Sequence, residues 1–268
     1  MEFDRRVQVR LSISGAQKSE FGSGYLVAPR LVLTAAHVLG DARGPKTGTV
    51  TVCRPAPYTA DTAGGQETAA PGLGTHFRAT VRWYRKDDAV DAVLVEIHDA
   101  PAEDGTRWPV PESLQDTATR PPQRWGRLIG QRPHPVALVG YPLMQYDPTT
   151  RHSYDKQLDG HISPGSGSLA RRYEISSTDP VLIPLLQQNT ATTGWSGMSG
   201  AAVLTDRRSG ALLCGVTRYD LQAGGGTIVT ATLLADPAFT AVVAEHTPDW
   251  PPPVLEPAEP AEYPIGIS

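Results

Sequence analysis

The sequence predicts an all-β fold arranged in two halves. Short apolar or alternating segments recur at close spacing along the chain, with turn residues between them. Helical periodicity is almost absent before residue 236. Glycine (26) and proline (25) make close to a fifth of the 268 residues, against an average of roughly 12%. That excess suits many turns between short strands, a tail, or both. Sandwiches or barrels are the architectures such a pattern builds.

In the first half, Arg6–Ser14 places Val7, Val9, Leu11 and Ile13 on one face, the period of a half-buried strand. Gly24–Val27 and Leu31–Thr34 follow, joined by a tight turn at Ala28-Pro29-Arg30. Thr49–Cys53, Thr75–Tyr84 and Ala92–Ile97 continue the series. The stretch from Pro55 to Gly74, rich in Ala, Gly, Thr and Pro, reads as a long exposed loop. Trp108–Gln123 carries Pro109, Pro111, Pro121 and Pro122 among polar residues and reads as the connection between halves.

The second half predicts strands at Arg124–Ile129, Pro135–Gly140, Gly160–Pro164, Arg172–Ser176, Ala201–Leu204, Ala211–Val216 and Gly226–Thr232. Met144–Tyr154 reads as an exposed excursion. One helix is expected over Asp236–Glu245. Asp236 caps it, Pro237 suits its first turn, and Phe239, Val242 and Val243 share a face. The segment beyond holds seven prolines among few apolar residues and reads as an extended linker or tail.

Composition narrows the function. Lys+Arg (24) and Asp+Glu (28) give a net charge of −4, which argues against nucleic acid or an anionic membrane as the main partner. No apolar run reaches the roughly 18 residues of a membrane helix. The start, MEFDRRVQVRLSI, lacks the apolar core of a secretory signal. Cys53 and Cys214 lie far apart and offer neither a disulfide framework nor zinc spacing. They read as buried thiols. A reducing compartment, hence the cytoplasm, is the simplest expectation. His76, His98, His134, His152, His161 and His246 show no metal spacing and read as surface or structural residues. No metal or organic cofactor is expected.

Two segments carry chemistry: GSGYLVAPRLVLTAAHVL (Gly22–Leu39) and GWSGMSGAAVL (Gly194–Leu204). Between them lies DAVLVEI (Asp91–Ile97). His37, Asp91 and Ser199 therefore occur in that order. A serine hydroxyl is a poor nucleophile at neutral pH and needs a base such as histidine beside it. The imidazole needs an acceptor that orients its other nitrogen, commonly a buried aspartate. A developing oxyanion needs two donors. The glycines around Ser199 allow successive amides to turn into one hollow. The N–H groups of Gly197 and Ser199 are the candidate donors. Ser196 rivals Ser199, but its segment lacks the second glycine before an apolar strand. Asp87 and Asp88 rival Asp91, yet only Asp91 immediately precedes the apolar run.

These motifs make the chain resemble a trypsin-like (chymotrypsin-fold) serine protease over about Arg6 to Glu245. LTAAHVL is similar to that family's TAAHC-type motif, and GMSGA is similar to its GDSGG nucleophile loop. The GYPLM segment at Gly140 and QRWGRL resemble bacterial, actinobacterial-type members. The resemblance implies two antiparallel β-barrels with a C-terminal helix and an active site in the cleft between them. Residues 1–115 would form the barrel carrying His37 and Asp91. Residues 116–246 would form the barrel carrying Ser199, plus the helix, with 247–268 as the Pro-rich tail or linker. It also implies Ser199 as nucleophile, His37 as base and Asp91 as its orienting partner.

The chain departs from the family pattern at informative places. Val38 and Trp195 stand where disulfide cysteines are usual. Met198 replaces the acidic residue that pairs with a new N-terminal amine in digestive members, and no IVGG-like start is present. The nucleophile loop must then be ordered by packing or by a partner. Thr193 matches the base of the specificity pocket and carries no charge. Trp195 either lines the cleft or packs inside the barrel, and Thr217 and Gly226 fall in the opposite wall, where Asp220 is also a candidate. A small or medium apolar or polar residue is expected before the cut.

The leading expectation is a serine endopeptidase acting on proteins or peptides, a regulated intracellular protease or effector module. The Pro-rich end raises the expectation of a sensing or regulatory domain or partner. The alternative is a non-catalytic, protease-like binding or sensor module tethered through that tail. A fluorophosphonate probe separates the two.

Overall fold

The computed structural model describes residues 3–13, 20–55, 74–116, 122–142, 146–147, 152–153, 156–165, 172–177, 197–205, 211–221 and 224–258. Strands dominate it. The first half holds β1 (Arg6–Ser12), β2 (Glu20–Ala28), β3 (Leu31–Thr34), the two-residue pair β4 (Gly40–Asp41) and β5 (Gly44–Pro45), β6 (Thr49–Cys53), β7 (His76–Lys86) and β8 (Asp91–Ile97). Strands β1-β2-β3-β8-β7-β6 close into an antiparallel barrel, with β6 pairing back onto β1. The alternation read in β1 is realised: Val7, Val9 and Leu11 are fully buried. They join Leu26, Val32, Val52, Phe77, Val93 and Val95 in the barrel core.

The second half holds β9 (Trp125–Leu128), β10 (His134–Gly140), β11 (Tyr146–Asp147), β12 (His152–Ser153), β13 (Lys156–Ile162), β14 (Arg172–Ser177), β15 (Ala202–Thr205), β16 (Leu212–Leu221) and β17 (Gly224–Val229). After them come helices α1 (Thr230–Leu234) and α2 (Pro237–Glu245), then β18 (Leu255–Ala258). The sheet runs β15-β10-β13-β14-β17-β16-β9-β18, and β15 also pairs with β16. That extra pairing joins six strands into a ring, to which β9 and β18 are added in parallel. The short strands β11 and β12 pair with each other inside the expected excursion.

A third apolar cluster lies between the two halves. Tyr25, Leu31, Leu33, Trp83 and Leu94 of the first barrel meet Trp125, Val139, Leu204, Val216 and Phe239 of the second. Helix α2 seals this seam. Asp236 caps it as expected, accepting from the N–H groups of Ala238 and Phe239 at 2.9 and 3.4 Å. The Phe239 ring then meets Trp83 and Trp125 edge-on, at centroid distances of 5.1 and 5.8 Å. The connection between halves is pinned at both ends. The Asp4 carboxylate accepts from the N–H and hydroxyl of Ser113, and the buried Arg5 guanidinium donates to Ser113 and to the Pro122 carbonyl.

Two expectations need correction. The strand placed at Gly226–Thr232 ends at Val229, and α1 begins there. The Thr230 hydroxyl donates to the carbonyls of Gly126 (2.5 Å) and Cys214 (3.2 Å), which turns the chain, and Leu233 is buried behind it. The Pro-rich end is also not all linker. Leu255–Ala258 pairs with Trp125–Leu128 as the outermost strand, where proline's missing N–H is tolerated. Glu256 pairs with Arg124, and Ala258 is fully buried. Residues 259–268 and most of the expected 55–74 loop lie outside the described residues. Among the described residues no helix is long and apolar enough to cross a membrane.

Candidate active site

The β3 strand ends at Thr34, and a 3₁₀ turn over Ala36–Val38 follows. Ala36 and Val38 are buried, and the turn leaves the His37 side chain about one-third exposed. Asp91 opens β8, which pairs with β3 in register Thr34↔Val93. That pairing brings the carboxylate under the turn. One oxygen, Oδ1, accepts the His37 backbone N–H at 2.8 Å, and Oδ2 lies 2.9 Å from His37 Nδ1. Asp91 is 2% exposed. Burial pushes its carboxyl up, but the His37 hydrogen bond and charge, with the Lys86 hydrogen bond, outweigh that and hold it at about 2. An ionised carboxylate only accepts, so Nδ1 carries the proton between them. The other imidazole nitrogen is left as the basic one.

The loop bearing Ser199 is fastened to the first barrel through Ser23 of β2. The Ser23 N–H donates to the Ser199 carbonyl at 2.8 Å, and its hydroxyl donates to the Gly197 carbonyl at 2.7 Å. The same hydroxyl accepts the Tyr141 N–H at 2.8 Å, and the Ser23 carbonyl accepts from the Thr34 hydroxyl at 2.6 Å. Ser23 is fully buried. A Cβ on Gly22 would stand 2.6 Å from a Val38 methyl and 2.7 Å from the Ser199 carbonyl. Gly22 is therefore the point where the histidine turn and the serine loop converge on one strand. Gly200 has φ +87°, and a side chain there would collide with the Ser23 carbonyl and the Thr34 hydroxyl.

Met198 answers the question of how the loop is ordered without an acidic residue. It is fully buried and belongs to the core of the second barrel, beside Leu138, Ala201 and Val203. Gly197 also adopts positive φ, +87°. The N–H groups of Gly200 and Ala201 are used, donating to Thr217 and Met198 carbonyls at 2.8 Å. Among the described residues no carbonyl takes the N–H of Gly197 or Ser199.

The rivals of Asp91 separate from it. Asp87 and Asp88 are exposed, and Asp87 accepts from the Ala89 and Val90 N–H groups within its own turn. Thr217 is buried beneath the serine loop, bonded through its backbone to Gly200 and Ala201. Gly226 pairs with Tyr219 of β16 and Glu174 of β14. Thr193, Trp195 and the rival Ser196 lie outside the described residues, and of Asp220 only the backbone is described, opposite Gly225. Both cysteines are buried and neither is in a disulfide. Among the described residues no His, Cys, Asp and Glu cluster could hold a metal.

Three site residues escaped the sequence reading: Ser23, Lys86 and Arg218. The Lys86 Nζ lies 3.0 Å and the Arg218 Nε 3.6 Å from Asp91 Oδ2. Ser23 sat in a quoted motif, but its partners Gly197 and Tyr141 lie 174 and 118 residues away, beyond any local pattern. Lys86 becomes a neighbour of Asp91 only through the β7–β8 register. Arg218 does so only through an irregularity in β16.

Comparison with known proteins places this geometry. The family described as trypsin-like peptidase domain matches residues 22–216, from the Gly22 crossing to β16. A search among curated proteins by sequence gave no match. Among solved structures, a Glu endopeptidase aligns with a TM-score of 0.53 and 14% identity, over 92% of this chain and 91% of that one. Protease Anisep from Arthrobacter nicotinovorans aligns at 0.50 with 13% identity, over 85% and 90%. The Rv3671c protease from M. tuberculosis, in its active form, aligns at 0.47 with 16% identity, over 94% and 84%. At such identities the likeness to the first two is one of fold. The family match, spanning well over half the chain, decides the rest: the chain belongs to the trypsin-like peptidase domain family and is a serine endopeptidase.

Proposed function

We propose that peptide bonds are cut through Ser199, His37 and Asp91. Ser199 attacks the peptide carbonyl. His37 takes the hydroxyl proton and returns it to the leaving amine, and water then releases the acyl-enzyme by the same route in reverse. Asp91 holds the imidazole in one tautomer and stabilises its cation. The Gly197 and Ser199 amides receive the oxyanion. The observation that carries this reading is the pair of hydrogen bonds that buried Asp91 accepts from the backbone and ring of His37. The two amides left without a backbone acceptor among the described residues support the oxyanion assignment.

Thr193, Trp195, Thr217 and Gly226 are proposed to line the specificity pocket. The Thr217 hydroxyl is buried without a hydrogen-bond partner among the described residues. The substrate residue before the cut is then small or medium, apolar or polar. Two buried thiols outside any disulfide support a reducing compartment such as the cytoplasm. The test is hydrolysis of unfolded casein and a peptide library by the purified chain. Ser199→Ala and His37→Ala should each lower turnover by about 10⁴- to 10⁶-fold. Wild-type turnover in Ser199→Ala would remove the serine from the mechanism.

A further inference from the structure

The Asp91 oxygen that faces the His37 ring, Oδ2, is also approached by two cations. Lys86 is the residue directly opposite it in the β7–β8 ladder, so the barrel register delivers the ammonium to the carboxylate. The Nζ–Oδ2 distance is 3.0 Å. Arg218 arrives from the other barrel. Along β16, Thr217 pairs with Thr227 and Tyr219 pairs with Gly226, so Arg218 is an extra residue in the ladder. Such a bulge re-aims a side chain. The guanidinium crosses the seam: Nη1 donates to the Asp88 carbonyl at 2.9 Å, Nη2 faces the Asp87 carbonyl at 3.5 Å, and Nε lies 3.6 Å from Asp91 Oδ2. The two side chains are only 23% and 17% exposed. Both cations therefore act with little screening on the carboxylate that faces the imidazole.

We propose that Lys86 and Arg218 are positioning residues that brace Asp91 and set the acidic limit of proteolysis. The proposal rests on the reading of Ser199, His37 and Asp91 as the catalytic set. A carboxylate whose only charged neighbour is an imidazole favours the protonated ring with its full charge. Two cations on the same oxygen offset much of that field. The imidazolium then gains less from a carboxylate braced in this way. The other groups around Asp91 do not replace this effect. On β7, Tyr84 is pushed up to about 12 by burial and by the charges of Asp91 and Asp41, so it is neutral in the working range. In the turn before β8, Asp88 is exposed, and Asp87 is occupied by Arg85. Arg218 also ties that turn to the second barrel, so it couples the position of Asp91 to the barrel that carries Ser199.

The test follows the second-order rate of fluorophosphonate labelling of the purified chain from pH 5 to 9. The wild type and the Lys86→Met, Lys86→Arg, Arg218→Met and Arg218→Lys variants are compared, with Ser199→Ala as blank. Circular dichroism checks the fold of each. Should Lys86→Met unfold, Lys86→Gln carries the same comparison. The methionine variants should shift the acidic limb upward by about half a unit to one unit, and the charge-conserving variants should restore it. Near the limb this reads as about 3- to 10-fold slower labelling relative to each variant's own plateau. Limbs that coincide with wild type, or a uniform loss of rate at every pH, overturn the brace while leaving the catalytic set intact. Wild-type labelling no faster than that of Ser199→Ala overturns the catalytic set, and the brace with it.

Discussion

At the scale of single residues, Asp91 and Ser23 do most to join sequence to chemistry. Asp91 is held well below the usual carboxylate value, at about 2, so its ionised form is worth more in the folded chain than in the unfolded one. The depressed value means the stabilisation is complete above about pH 4 and is lost as pH falls toward 2. Integrated over that window it amounts to about 2 kcal/mol. Denaturant titrations from pH 5 to 2 should show this loss in the wild type and a much flatter profile in Asp91→Asn. Ser23 supplies a donor to the nucleophile loop and an acceptor to Tyr141, both in a fully buried place. Ser23→Ala strands the Tyr141 N–H and should cost about 1–3 kcal/mol. It should also slow Ser199 labelling at least tenfold, because the loop loses the hydroxyl bond at Gly197 and keeps only the backbone bond at Ser199. An unchanged labelling rate would detach Ser23 from the site. The pairing of His37 with Asp91 was legible because each sits in a recognisable local context, an LTAAHVL turn and the start of an apolar strand. Lys86 and Arg218 were not: Lys86 lies only five residues before Asp91 but faces it only in the β7–β8 register, and Arg218 depends on a bulge in β16.

At the scale of elements, the strands followed from alternation and turn residues, and their ends did not. β16 runs to Leu221 and β13 starts at Lys156, both beyond the apolar stretches that announced them. Ladder pairing extends a strand past the residues that need burial. β18 was hidden for the opposite reason: proline-rich composition masks an edge strand whose pairing partner does not need every N–H. Helix α2 was readable in full, because cap, proline and apolar face are all local signals. Its energetic centre is Phe239, between Trp83 and Trp125. Phe239→Ala should destabilise the chain by about 3–5 kcal/mol through the cavity it leaves. Asp236→Ala should cost about 1 kcal/mol for the cap. Thermal unfolding of the two variants checks the ranking. Equal effects would deny Phe239 its place in the seam.

At the scale of the molecule, two closed strand systems meet along a shared apolar seam, and the candidate site lies where that seam meets Gly22, Ser23 and Arg218. The ion pair from Arg82 to Glu245 adds a crossing at the edge of the same seam. Neither half buries its face of this cluster without the other, so unfolding should be a single cooperative transition. Near-ultraviolet and far-ultraviolet circular dichroism should report the same midpoint. Two separated midpoints would mean barrels that stand alone. The two-barrel outline was legible because family motifs sit in both halves. The seam itself was not, since its contacts join residues far apart in sequence.

The central claim is that Ser199 is a nucleophile activated by His37 and Asp91 across this seam. The most direct measurement is the mass and position of the adduct formed when the full chain meets a fluorophosphonate. The account predicts one phosphonyl group on Ser199, absent in Ser199→Ala and formed far more slowly in His37→Ala. An adduct on Ser196, or undiminished labelling of Ser199→Ala, would contradict it.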